Sequence, residues 1–214
     1  MPTLSKIFES VLHDRLLKHC IENRIITEKQ AAYLKGDSTI SQLIYMVHNI
    51  KQNWTNKKIT QGLFLDVSSA FDKVWHNGLI AKLSQIGVKE IFLETISSYL
   101  ANRKQVVVVD GVKYDTREVL AGVPQGSRLG PLLFIIYMND ILSEIESDLL
   151  IFADDTSLMA SGTDPNETVN QLNRDLLRIS QWADKWKVTF NAKKSKDMNF
   201  SSKYLNNSPP LGFS

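Results

Sequence analysis

Apolar residues recur every three or four positions near the N-terminus. Leu4, Ile7, Phe8, Val11, Leu12, Leu16 and Cys20 predict an amphipathic helix over residues 4–22, with Cys20 on its core face. A polar turn with Gly36 follows. Thr39, with Gln42 three residues on, resembles a capping box, and Ile40, Leu43, Ile44, Val47 and Trp54 line one face of a second helix over 39–54. Residues 53–61 are polar and read as a loop. Residues 62–67 are a short apolar run carrying Asp66 near its end, the pattern of a buried strand. Helical spacing resumes over 69–86, with a break near Gly78 and a stop at Gly87, and again over 89–100. Residues 106–109, then Asp110-Gly111, then 112–114 signal a hairpin, because Asp-Gly tolerates the positive φ of a tight turn.

Farther on, residues 122–131 carry three glycines and two prolines and read as a structured loop before a buried helix over 132–145. The apolar runs 149–153 and 157–160 flank Asp154-Asp155-Thr156, a second hairpin with the aspartates at its turn. Asp164-Pro165-Asn166-Glu167 is a helix start: Asp at the cap, Pro at the first helical position, Glu in the first turn. Val169, Leu172, Leu176, Ile179 and Trp186 continue that helix. Short strands are expected at 188–190 and 198–200, and a frayed tail at 206–214.

Composition narrows the picture. A chain of 214 residues makes one large domain or two small ones, and 43% hydrophobic with 22% charged residues excludes wholesale disorder. The net charge of +2 gives no bulk signature of nucleic-acid binding, so any such contact must come from local patches. The single cysteine, Cys20, excludes a disulfide framework or a multi-cysteine zinc site. The four histidines, His13, His19, His48 and His76, have no metal-ligand spacing. The strongly apolar run 132–138 is too short to span a bilayer, and Lys6, Glu9, Asp14 and Arg15 make the N-terminus unlike a signal peptide. The expectation is a soluble intracellular protein in a reducing compartment, with no membrane partner.

Three carboxylates carry the candidate chemistry. Asp154 and Asp155 are adjacent in an apolar hairpin, and Asp66 ends an apolar strand, although aspartate is a poor strand residue. A plain turn explains Asp154-Asp155 alone. Brought together with Asp66, the carboxylates would repel unless a cation neutralised them. Oxygen ligands suit Mg²⁺, and paired Mg²⁺ ions serve phosphoryl transfer.

The residues around these carboxylates resemble a known family. Phe64-Leu65-Asp66-Val67-Ser68-Ser69-Ala70-Phe71-Asp72 looks like polymerase motif A of reverse transcriptases. Gly122-Val123-Pro124-Gln125-Gly126-Ser127-Arg128-Leu129-Gly130-Pro131 resembles motif B, and Phe152-Ala153-Asp154-Asp155 resembles motif C. Asn191-Ala192-Lys193-Lys194-Ser195, followed by Met198-Asn199-Phe200, resembles motif D. The order and spacing match from about Leu4 to Phe200, closest to the non-LTR (LINE-type, Jockey-like) retrotransposon enzymes.

The resemblance implies an RNA-directed DNA polymerase that uses an RNA template, a DNA primer, dNTPs and two Mg²⁺ ions, with Mn²⁺ as a substitute. It implies Asp66 and Asp154 as the principal metal ligands, with Val67 as a further metal position, and Asp155 as the second acid nearer the primer terminus. Phe71 matches an aromatic steric gate against a 2′-hydroxyl; a core role on an amphipathic helix is the alternative. Gln125 and Gly126 would contact the incoming nucleotide, in a loop whose glycines allow close backbone approach. Lys194 matches the lysine that assists the departing pyrophosphate, with Lys193 as the alternative bearer. Lys35 is the local cation left for the triphosphate, because Ala32, Tyr33, Leu34 and Asp37 replace the usual Gly-Phe-Arg and basic residue. Arg103, Lys104 and Arg128 would hold nucleic-acid phosphates. Asp72 reads as a structural neighbour of the site.

The implied fold is α+β: a polymerase palm whose antiparallel sheet is backed by helices, with mostly helical fingers and the thumb absent. The implied division is fingers over 1–61, palm over 62–200 with a fingers-like excursion at about 88–121, and a tail over 201–214 before motif E. A decayed or domesticated palm that binds nucleic acid or a partner without catalysis is the competing reading. A viral RNA-dependent RNA polymerase fits less well. Those enzymes usually place a second acid where Phe71 stands and a glycine where Ala153 stands.

Overall fold

The computed structural model describes residues 3–27, 29–30, 39–153 and 155–201. Asp154, Lys35 and the tail beyond Ser201 lie outside the described residues. The elements in chain order are α1 (Thr3–Glu22), α2 (Thr39–Thr55), β1 (Ile59–Asp66), a 3₁₀ turn (Ala70–Asp72), α3 (His76–Gln85) and α4 (Glu90–Leu100). Four two-residue strands follow: β2 (Lys104–Gln105), β3 (Val108–Val109), β4 (Val112–Lys113) and β5 (Arg117–Glu118). Then come α5 (Leu129–Met138), a 3₁₀ segment (Asn139–Glu144), β6 (Asp148–Phe152), β7 (Asp155–Gly162), α6 (Pro165–Trp186) and β8 (Lys196–Phe200).

The chain divides into two compact units, one of residues 1–26 and 69–137, the other of residues 27–68 and 138–214. The second unit holds the main sheet, antiparallel throughout, in the order β6-β7-β1-β8. Its core is Leu63, Leu65, Leu149, Ile151, Leu158 and Ala160 from the strands, with Ile141, Leu172 and Ile179 from the helical side. Helix α6 starts where its sequence says it should: Asp164 accepts the Asn166 N–H at 2.9 Å and Pro165 takes the first turn. Buried Asp175 on α6 accepts the main-chain N–H groups of Glu146 (3.0 Å) and Ser147 (2.8 Å) and pairs with Arg178 (3.1 Å). Polar bonds tie α2 to the sheet: Asn53 donates to Thr60 (3.1 Å) and Ser161 (2.9 Å), and the Trp54 indole donates to the Phe200 carbonyl.

The first unit is mostly helical. Leu12, Leu16 and Cys20 of α1, Leu79 and Leu83 of α3, Ile96 and Leu100 of α4 and most of α5 are buried. Its β3–β4 hairpin turns at Asp110-Gly111, both at positive φ, as the sequence indicates, and β2 pairs with β5 beyond it.

Several expectations are corrected. Residues 69–86 do not form one helix broken near Gly78. The chain leaves helical geometry at 73–75, Ser69 takes a left-handed φ of 52°, and Gly78 sits inside α3. The cause is the loop at 122–125. Gly122 N–H donates to the Val74 carbonyl (2.9 Å) and Val123 N–H to the Phe71 carbonyl (2.8 Å), so this segment's acceptors serve the loop. The helix expected at 132–145 is α5 followed by the 3₁₀ segment. Strand β1 begins at Ile59, inside the expected loop, because Thr60 and Gln61 are buried and paired across to β7. Asp155 is the first residue of β7 rather than part of a turn. Of the strand expected at 188–190, only a bridge between Phe190 and Val67 forms. Gln42 donates its side-chain amide to the Ile151 carbonyl at 2.9 Å. The helical periodicity of α1 and α2 holds, but Leu4, Ile7, Phe8 and Val11, and likewise Ile40, Leu43, Ile44 and Val47, are exposed. The buried line of α1 runs instead through Glu9, Leu12, Leu16 and Cys20.

Candidate active site

The site is built at one end of the main sheet. β1 runs antiparallel to β7 in a register that sets Asp66 directly opposite Asp155, and β6 sets Phe152 opposite the same Asp155. Side chains at directly opposed positions share a face with Cβ atoms about 4.5–5.5 Å apart, and like charges so placed repel. After β6, Ala153 takes a left-handed φ of 57°.

The loop after α6 docks on the same end of β1. The Asn191 N–H donates to the Asp66 carbonyl (2.8 Å), and the Ser68 N–H donates to the Thr189 carbonyl (2.8 Å). The Ser195 hydroxyl donates to the Asn191 carbonyl (2.9 Å) and accepts the Asp66 N–H (3.4 Å). This lacing carries Lys194 to the carboxylates, where its Nζ lies 3.8 Å from Asp66 Oδ2. Asp66 and Lys194 are 30% and 69% exposed, so the pair is open to solvent and contributes at most about 1 kcal/mol. Asp66, Asp155 and Lys194 line one cleft of about 400 Å³, which Gln42, Met46 and Phe152 also border.

The donor set here is oxygen: two facing carboxylates, with a main-chain carbonyl at Val67 the one ligating group that residue could offer. Hard divalent cations take such donors. Among the described residues no group of three or more His, Cys, Asp or Glu side chains is arranged so that it could hold a metal ion.

Phe71, Arg103, Lys104, Gln125, Gly126 and Arg128 belong to the first unit. Phe71 sits in the 3₁₀ turn, half-buried, its ring 4.7 Å from that of Phe134. Gln125 is exposed and donates its side-chain amide to Asp72 Oδ1 at 2.8 Å. Gly126 has a φ of +73°. Gln125 and Asp72 line a cavity of about 640 Å³ together with Arg103 and Lys104. Arg128 is turned to its own unit: its guanidinium pairs with Asp14 at 2.8 Å, and its main-chain N–H donates to Glu9 Oε2 at 3.2 Å. The hydrogen bond from His13, with Arg128 nearby, holds the Asp14 carboxyl below the usual carboxylate range. Burial pushes the neighbouring Tyr99 hydroxyl up to about 12. Lys104 is exposed and Arg103 half-buried.

Sequence reasoning missed two features. Ser195 and Asn191 anchor Asp66, a contact that no local pattern announces across the 129-position separation of Asp66 and Ser195. Glu9 is an acid on an apolar stripe, 2% exposed, and only its odd position on that stripe signalled it.

The chain matches the family described as reverse transcriptase (RNA-dependent DNA polymerase) over residues 1–207. It is 33% identical over 211 residues to the RNA-directed DNA polymerase from mobile element jockey of Drosophila melanogaster, and 32% identical over 213 residues to a probable RNA-directed DNA polymerase from transposon BS of the same organism. Those alignments cover 95% and 96% of this chain but 23% of each relative, so the chain spans about a quarter of their length. Among solved structures, the apo telomerase from Candida tropicalis truncated from its C-terminal domain superposes with a TM-score of 0.65 at 16% identity, over 95% of this chain and 42% of that one. The expected α+β fold, with an antiparallel palm sheet and helices, agrees with that likeness. On the family match over residues 1–207 and these identities, the chain belongs to the reverse transcriptase family, and its similar relatives are polymerases of non-LTR retrotransposons.

Proposed function

We propose that this chain carries the polymerase centre of an RNA-directed DNA polymerase of a non-LTR retrotransposon, joining dNTPs to a DNA primer 3′-hydroxyl on an RNA template. One observation carries the reading: Asp66 and Asp155 face each other across β1 and β7, with the Lys194 ammonium 3.8 Å from Asp66, in one cleft. Reverse transcriptases generally work with divalent metal ions. The finer reading is two Mg²⁺ ions, with Mn²⁺ able to replace them, held by Asp66, Asp154 and Val67. The chemistry supplied by such ions when bound is activation of a hydroxyl nucleophile and neutralisation of charge on the leaving pyrophosphate.

The chain's own residues do the rest. Asp155 keeps negative charge at the mouth of the cleft, near the primer terminus. Lys194 delivers a cation, or a proton, to the leaving group. Phe71 excludes a 2′-hydroxyl, Gln125 and Gly126 contact the incoming nucleotide, and Lys35 meets its triphosphate. Arg103, Lys104 and Arg128 hold template or primer phosphates, Arg128 after exchanging its partner Asp14 for a phosphate. By motif order we assign residues 1–61 to fingers and 62–200 to palm, with a fingers-like excursion at 88–121. Among the described residues no helix is long and apolar enough to cross a membrane.

The test is primer extension on an RNA template by the longest natural polypeptide carrying these residues, with and without Mg²⁺. The reading requires extension that depends on Mg²⁺ and on Asp66, and that prefers dNTPs to rNTPs. Metal-independent extension, or extension indifferent to Asp66→Asn, refutes it.

A further inference from the structure

We propose that Asp72 is a positioning residue that sets the orientation of the Gln125 side-chain amide for the incoming nucleotide. The inference rests on the reading of Gln125 given above. It goes beyond that reading in naming the residue that aims it. Asp72 Oδ1 accepts from Gln125 Nε2 at 2.8 Å, across 53 residues of sequence. A carboxylate offers only acceptors, so the amide must turn its NH₂ toward Asp72. That choice fixes the rest of the group. The Gln125 carbonyl oxygen and the second N–H then point away from Asp72, so a nucleotide meets one defined donor and acceptor instead of an amide free to flip.

The main chain around the pair is over-determined, which a positioning device needs. The Gly122 and Val123 N–H groups donate to the Val74 and Phe71 carbonyls on either side of Asp72. His76 Nε2 donates to the Gly122 carbonyl at 2.8 Å. A Cβ at Gly122 would lie 2.7–2.9 Å from the Asp72 main chain, so the two backbones are in direct contact. Asp72 and Gln125 are themselves exposed and line the cavity that Arg103 and Lys104 share. Two exposed side chains joined above such a scaffold add little to stability. Holding Gln125 in one pose is what the bond accomplishes.

Two readouts test this on the polypeptide used for primer extension. In ¹⁵N spectra, the Gln125 side-chain amide protons should shift and exchange faster with water in Asp72→Ala, and stay near wild type in Asp72→Asn, which still offers an acceptor. In steady-state extension, Asp72→Ala should raise the KM for dNTP by roughly two- to tenfold, the cost of immobilising one rotamer-rich side chain afresh on binding. Its kcat should change much less, Asp72→Asn should recover most of the loss, and Asp72→Ala should add nothing in a Gln125→Ala background. Unchanged Gln125 resonances in Asp72→Ala, or losses that multiply in the double variant, overturn the proposal. A wild type that extends no primer would instead refute the proposed function, and the Gln125 resonances would still decide whether Asp72 holds the amide.

Discussion

Asp66 and Asp155 are register partners across the β1–β7 ladder, the last residue of one strand facing the first of the other. Opposed like charges destabilise a sheet. The pairing therefore sets stability against function, and the two should separate on mutation. Asp66→Asn and Asp155→Asn should leave the melting temperature of the cation-free protein unchanged or higher while depressing extension. A clear drop in melting temperature for both variants would mean that the carboxylates hold the fold together. Added Mg²⁺ or Mn²⁺ should raise the melting point of wild type and not of Asp66→Asn.

Lys194 reaches Asp66 only because Asn191 and Ser195 clamp the loop to β1. Lys194→Met should reduce extension by roughly 10–100-fold, the range typical of proton-transfer assistance, with little change in stability. Ser195→Ala should give a smaller loss of the same kind, since the loop keeps its Asn191 anchor. If Lys193→Met carries the loss and Lys194→Met does not, the assignment moves to Lys193.

Gly122 and Gly126 both have positive φ, but only Gly122 abuts a neighbour, the Asp72 main chain. Gly126→Ala should cost about 1–2 kcal/mol from the left-handed conformation alone. Gly122→Ala adds overpacking and should cost about 3 kcal/mol or more. Equal losses in denaturant titrations would show that the contact at Asp72 is relieved at no cost.

Much of this was legible in the sequence. The Asp-Pro-Asn-Glu start fixed α6 to the residue, and the Asp-Gly turn placed its hairpin. Asp66, Asp155 and Lys194 could be named because each sits in a motif with its own spacing. What remained hidden is tertiary. Periodicity identifies a helix but not which face is covered, so α1 buries Glu9 while exposing Leu4 and Phe8. The helix expected through residues 73–75 fails because a loop some fifty residues later needs those carbonyls, and the Asp72–Gln125 bond belongs to the same long-range docking.

Alkaline pH should destabilise the fold within a defined window. Burial pushes the Cys20 thiol from its ordinary 9.0 up to about 12, and the Tyr99 hydroxyl from 10.0 to about 12. The folded chain keeps these protons while the unfolded chain releases them, so rising pH favours unfolding. Stability should be flat with respect to these groups below pH 9 and fall from there toward 12, by up to about 1.4 kcal/mol per pH unit for each group. Cys20→Ala should remove the decline between 9 and 10, before Tyr99 contributes. An unaltered slope there contradicts the assignment.

The central claim is that the acid end of β1 is a polymerase centre. Its most direct test is single-nucleotide extension of a DNA primer on an RNA template with Mg²⁺, comparing wild type with Asp66→Asn at matched folding. The account predicts a loss of at least about a hundredfold, the scale of one removed group that stabilises transition-state charge, with the circular dichroism and melting point retained. Extension by Asp66→Asn at the wild-type rate would contradict it.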